Sequence, residues 1–133
     1  MRSGSSRQGS SLIEFAFMLV PLMILIVGSI EVDRLLLTYT SLSNAANATV
    51  RYAAVHGNYN PDSVSNIQQV GKNFAALGAL DPASANVNVV YQDGNSNIGS
   101  RVSVTVSTPF SPLTAFFPVH VTMSSTAKAT ITF

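Results

Sequence analysis

The chain contains no cysteine and no tryptophan. Without cysteine there is no disulfide framework, no thiolate metal site and no thiol nucleophile, although the absence does not identify a compartment. Charge is scarce as well, at 10% of residues against a usual share of about 25%. The formal net charge is +1, which provides neither a basic field for nucleic acid nor an acidic tail. Two histidines, His56 and His120, lie far apart in sequence, so a histidine-rich metal site is not expected. No phosphate-cradling glycine loop, HExxH pair or nucleophile elbow occurs, and Ser63 and Ser65 have no histidine near them in sequence. Asp93-Gly94-Asn95-Ser96-Asn97 has a faint likeness to a calcium loop but lacks the glutamate at the twelfth position and most of the carboxylates. The expectation is a protein without catalytic residues, metal or cofactor, and with no nucleic-acid or small-molecule substrate.

The missing charge is concentrated in one place. Leu12–Ile30 reads LIEFAFMLVPLMILIVGSI, and Glu14 is its sole ionisable residue. Nineteen residues at about 1.5 Å each make roughly 28 Å of helix, enough for a hydrocarbon core about 30 Å thick. A soluble-core helix would need a polar face, and none appears between Phe15 and Gly28. Arg2 and Arg7 precede the segment, whereas Glu31, Asp33 and Arg34 follow it. The positive-inside bias therefore places the N-terminus in the cytoplasm and everything after about Glu31 outside. Pro21 lies within the span, where proline is tolerated as a mild kink or as a site of local melting during assembly.

Glu14 is costly so near the bilayer. Snorkelling to the cytoplasmic headgroups is one account of it; a charged partner is the other. The preceding residues, RQGSSLIEF, set Gly9 five residues before Glu14 with small or apolar residues between. This resembles the class III signal of type IV prepilins and pseudopilins. The resemblance implies that a membrane prepilin peptidase cuts between Gly9 and Ser10 on the cytoplasmic side and leaves the helix attached. The new cationic amine of Ser10 would sit about one turn from Glu14, in the same or an adjacent subunit, and pairing would offset the desolvation of both. Two alternatives remain. An ordinary secretory signal would be cut near Gly28-Ser29, against a long apolar run and bulky Ile26 and Ile30; an uncleaved anchor would keep its leader.

Beyond Ile30 the pattern becomes amphipathic. Leu35, Leu36, Leu42, Ala45, Ala46, Thr49, Tyr52 and Ala53 recur at helical spacing, predicting one continuous helix to about His56, ended by Gly57. His56 reads as a cation or cap at that helix end, and Arg51 as a residue that packs or pairs along the stem. Residues 7 to about 57 resemble the TadE-like family of pseudopilins from tight-adherence (Flp) pilus systems. Glu14-Phe15-Ala16, Pro21, Gly28, Glu31, Arg34 and the segment ending Arg51-Tyr52-Ala53 carry the likeness. Val32-Asp33 departs from it, because Phe-Gly often precedes the arginine. Pro109-Phe110 and Pro112-Leu113 match a further element more weakly.

After the stem, Asn60-Pro61-Asp62-Ser63 is a helix start, and Val64, Ile67, Val70, Phe74 and Leu77 give a helix over about 61–77 stopped by Gly78. Gly71 weakens its middle. Alternating runs predict strands over about 86–92, 101–108 and 124–133, the first two joined by the Asp93–Asn97 turn. The expected fold is α+β and pilin-like: a leader over 1–9, a transmembrane helix over 10–31, and an extracytoplasmic domain over 32–133 whose stem helix packs on a small antiparallel sheet. Phe110, Phe116 and Phe117 either cap that sheet or form an interaction surface.

The resemblance implies a minor pilin or pseudopilin, a structural protein in pilus assembly, adhesion or secretion. Gly9, Ser10 and Glu14 would form the processing site, and Glu14, Phe15, Ala16, Pro21, Gly28, Glu31 and Arg34 would pack subunits. Partners would be the prepilin peptidase, other pilins, inner-membrane assembly proteins and membrane lipid. A membrane-anchored binding module retaining its leader is the alternative; an envelope hydrolase has no residue to motivate it.

Overall fold

The computed structural model describes residues 5–56, 64–78, 80–113 and 121–132. Five elements follow in order: α1 (Ser5–Val55), α2 (Val64–Leu77), β1 (Asn86–Tyr91), β2 (Arg101–Phe110) and β3 (Val121–Thr130). The chain divides into two compact units, Met1–Arg34 and Leu35–Phe133.

In the first unit the described residues are all α1. Pro21 lies inside the helix without ending it. Because proline has no N–H, the carbonyl of Phe17 loses its helical donor there. Ser29 returns its hydroxyl to the carbonyl of Leu25 at 2.9 Å, which keeps a polar side chain satisfied within an apolar stretch.

The second unit is α+β, as the patterning predicts. Its three strands form an antiparallel sheet in the order β1-β2-β3. Val87 faces Val106 and Val89 faces Val104 across the first pair, while Val104 faces Ala127 across the second. These positions share one face of the pleat, and all five side chains are buried. Each fully buried valine contributes about 1.5–3 kcal/mol. The other layer comes from α1, where Leu42, Ala45, Ala46, Thr49, Val50, Ala53 and Ala54 are buried. Their spacing alternates three and one, which keeps them on one stripe of the helix. Ile67 and Ala75 of α2 complete the core. Leu35 and Leu36, expected on the same stripe, stay exposed.

Gly71 has a steric reason to be glycine. A Cβ there would lie 2.9 Å from Val87 Cγ1 and 3.1 Å from Thr49 Oγ1, so its absence lets α2 approach both β1 and the stem helix. Helix α2 ends before Gly78, as expected, and the Leu80 N–H closes the turn on the carbonyl of Ala75 at 3.1 Å. The cap expected at 60–63 and the helix stop expected at Gly57 lie outside the described residues.

Strands β2 and β3 differ from expectation at three of their ends. Strand β2 continues through Pro109 to Phe110 rather than stopping at 108. Register explains this, since Pro109 pairs with Thr122 of β3 but lies beyond Ser107, the last β2 residue paired with β1. Ile131 N–H bonds to the carbonyl of Ser100 at 2.9 Å, so even-numbered β2 residues face β3 and odd-numbered ones face β1. The missing N–H of Pro109 therefore falls on the side where β1 has already ended. Strand β3 starts earlier, at Val121, and ends at Thr130. Beyond it Ile131 stays buried, and the Thr132 N–H bonds to the carbonyl of Ala54 at 3.2 Å.

Candidate functional site: an unburied apolar helix

The helix segment from Gly9 through Arg34 is the candidate site. Leu12, Ile13, Phe15, Phe17, Met18, Ile24 and Leu25 are each more than half exposed. They point in all directions round a helix that advances 3.6 residues per turn, so no single stripe is being hidden. Among the described residues this is one helix long and apolar enough to cross a membrane, and none of its most apolar stretch is buried in the protein. So much contiguous apolar surface calls for a non-aqueous environment or other chains around it.

The processing and subunit-packing candidates of the sequence reading lie on this helix. Gly9 and Gly28 have no neighbour within 4 Å of where a Cβ would be, so neither is required by packing within the chain. Glu14, Phe15 and Ala16 are exposed, as is Ser10. Ala16, Phe17, Val20 and Pro21 border a shallow apolar groove; the small side chain at 16 and the ring at 21 shape it. Glu31 and Arg34 are brought together as an ion pair at 3.1 Å, spaced i to i+3 on one face. The sequence named both residues without the pairing.

Other candidates lie in the second unit. Tyr52 and His56 stack with ring centroids 4.0 Å apart and planes 18° from parallel, and His56 Nδ1 is 3.0 Å from the carbonyl of Tyr52. His56 thus closes the helix end as a cap, while Arg51 beside it is exposed. Phe110 is buried at 9% exposure, because β2 runs on past Pro109 and carries the ring onto the inner face, where one of its two readings, a cap on the sheet, would put it. Phe116, Phe117 and His120 lie outside the described residues. Among the described residues no group of three histidine or carboxylate side chains is placed to hold a metal.

The Asp93–Asn97 turn is built on hydrogen bonds. Asp93 accepts the backbone N–H of Arg101 at 2.7 Å and its guanidinium at 2.8 Å. These bonds, the side-chain one foremost, hold the Asp93 carboxyl below the usual carboxylate range. Asn95 accepts the N–H of Asn97 at 3.1 Å and the hydroxyl of Ser100. The polar side chains of this turn are thus used in closing the hairpin.

No curated protein and no solved structure matches the chain significantly. A family model described as TadE-like protein matches residues 9–51. The matched segment starts at Gly9, takes in the whole apolar helix and ends in the part of α1 that enters the core of the second unit. Over residues 9–51, about a third of its length, the chain is similar to the TadE-like proteins.

Proposed function

We propose that the protein is a minor pilin or pseudopilin of a tight-adherence (Flp, type IV-like) pilus system, inserted in the bacterial inner membrane and processed by a prepilin peptidase after Gly9. The observation that carries this reading is the family match over residues 9–51, which starts at Gly9 and includes Glu14. The apolar helix, with none of its most apolar stretch buried in the protein, supports it. Lipid covers that helix before assembly, and the helices of neighbouring subunits cover it afterwards. Both environments favour an apolar surface with small residues where backbones approach, here Ala16, Gly28 and Ser29.

In this reading the chain is a substrate of the peptidase and an assembly component rather than an enzyme. Its N-terminus faces the cytoplasm and residues beyond about Glu31 lie outside. Cleavage generates a cationic amine at Ser10, and Glu14, about one turn along, compensates it within or between subunits. Glu31 and Arg34 already neutralise each other, which lowers the cost of holding both near the membrane edge.

Two variants separate the steps. Gly9→Val in cells carrying the peptidase is expected to leave the full leader attached. Glu14→Gln is expected to be cut normally yet to lose co-purification with the other pilins. Normal cutting of Gly9→Val, or full recovery of partners by Glu14→Gln, would overturn the corresponding assignment.

A further inference from the structure

The second unit holds a groove of about 500 Å³ that pilus assembly through α1 does not use. One wall is a single face of α2, carrying Gln68, Gln69 and Lys72; the other is the chain leading into β1, with Asn86 and Val87. Strand β1 lies at the edge of the sheet, bonded only to β2.

The ladder fixes which backbone groups face this edge. Gln92 N–H donates to the carbonyl of Arg101 at 2.9 Å. With the register Val90 to Ser103 and Asn88 to Thr105, the even-numbered residues of β1 bond to β2 and the odd-numbered ones turn outward. The Tyr91 carbonyl is taken by Gly94 N–H, and Ala85 N–H by the carbonyl of Asp81. Val87 and Val89 remain. Their side chains are buried, and their outward N–H and C=O groups have no partner among the described residues. Backbone groups so placed are satisfied by water or by another strand.

Charge narrows the occupant. Among the described residues that line the groove, Lys72 is the one charged side chain. Gln68 and Lys72 are half-buried, one turn apart on the α2 wall. A cation held there complements a carboxylate on whatever lies in the groove.

We propose that this groove binds an extended, carboxylate-bearing peptide segment of another protein chain by strand addition to β1. The segment pairs with the outward backbone of Val87 and Val89, its carboxylate meets Lys72, and Gln68 and Gln69 hydrogen-bond its far side. This does not depend on processing at Gly9, so either proposal can fail without the other.

The test is a titration of isotope-labelled full-length protein in detergent micelles with the acetylated peptide TVTVTE. Saturable binding is expected to shift the Val87 and Val89 amides and slow their hydrogen exchange by about tenfold or more. Of two peptides N-methylated at alternate residues, the one whose donors face β1 should fail to bind while the other binds. Lys72→Met should weaken TVTVTE by roughly three- to tenfold and leave the neutral TVTVTQ unchanged. The proposal is overturned by unmoved Val87 and Val89 amides at millimolar peptide, by shifts confined to the opposite edge at Ser124 and Thr126, by equal binding of both methylated peptides, or by equal weakening of TVTVTE and TVTVTQ.

Discussion

Replacing Gly71 by alanine tests the close approach of α2. The added Cβ would stand 2.9 and 3.1 Å from the two γ carbons of Val87 and 3.1 Å from Thr49 Oγ1, against a comfortable separation of about 3.5–4.0 Å. Neither neighbour can retreat easily. Val87 is 2% exposed and Thr49 fully buried, β-branched side chains are stiff at χ1, and the Thr49 hydroxyl is committed to the carbonyl of Ala45 at 2.6 Å. Overpacking of this kind costs about 1–3 kcal/mol, while alanine returns up to about 1 kcal/mol of helix propensity. The net expectation is a loss of about 1–2 kcal/mol, or roughly 5–10 °C in Tm for a unit of this size. Thermal unfolding of the full chain in detergent micelles, followed by circular dichroism, reads it directly. In a Val87→Ala background most of the clash disappears, so the same substitution should be neutral or stabilising, with an interaction energy of about 1–2 kcal/mol. A higher Tm for Gly71→Ala in the parental chain would refute the reasoning, because propensity would then outweigh packing.

Ile131→Ala, at a side chain 1% exposed, should cost about 2–5 kcal/mol in urea unfolding although it lies beyond the last strand. Gly99 has φ +89° and open space around it, so Gly99→Ala should lose about 1–2 kcal/mol from backbone strain alone. Asp93 is held below its ordinary pKa by Arg101. Its stabilising contribution is therefore complete above the unfolded value, about pH 4, and is lost as pH falls through the lower folded value. Carboxyl NMR should show an Asp93 midpoint below the usual range that moves up in Arg101→Gln.

The elements were legible in the sequence wherever one physical signal dominated. The apolar run from Leu12 to Ile30 permitted only a helix, and the alternation at Val87, Val89, Val102, Val104 and Val106 permitted only strands with one buried face. The errors arose where tertiary placement decided. Proline at 109 reads locally as a strand stop, yet pairing with β3 alone leaves its missing N–H harmless. Leu35 and Leu36 fit the helical stripe by spacing but lie one to two turns before the core begins at Leu42. For Phe110 the local pattern left a sheet cap and an open surface both standing, because burial at the end of β2 is a matter of register. Gly71 appeared only as a weak point, since the contacts requiring it come from Val87 and Thr49, distant in sequence. Of the candidate site, Glu14 stood out from local chemistry and Gly9 from the resemblance to the class III signal, whereas the groove at β1 needed the strand order, which short patterns do not supply.

The central claim is processing after Gly9, and the most direct test is the intact mass of the membrane-purified protein made with and without its prepilin peptidase. The account predicts a chain that starts at Ser10 only when the peptidase is present. A start at Met1 in both preparations, or one near Ser29 in either, would contradict it.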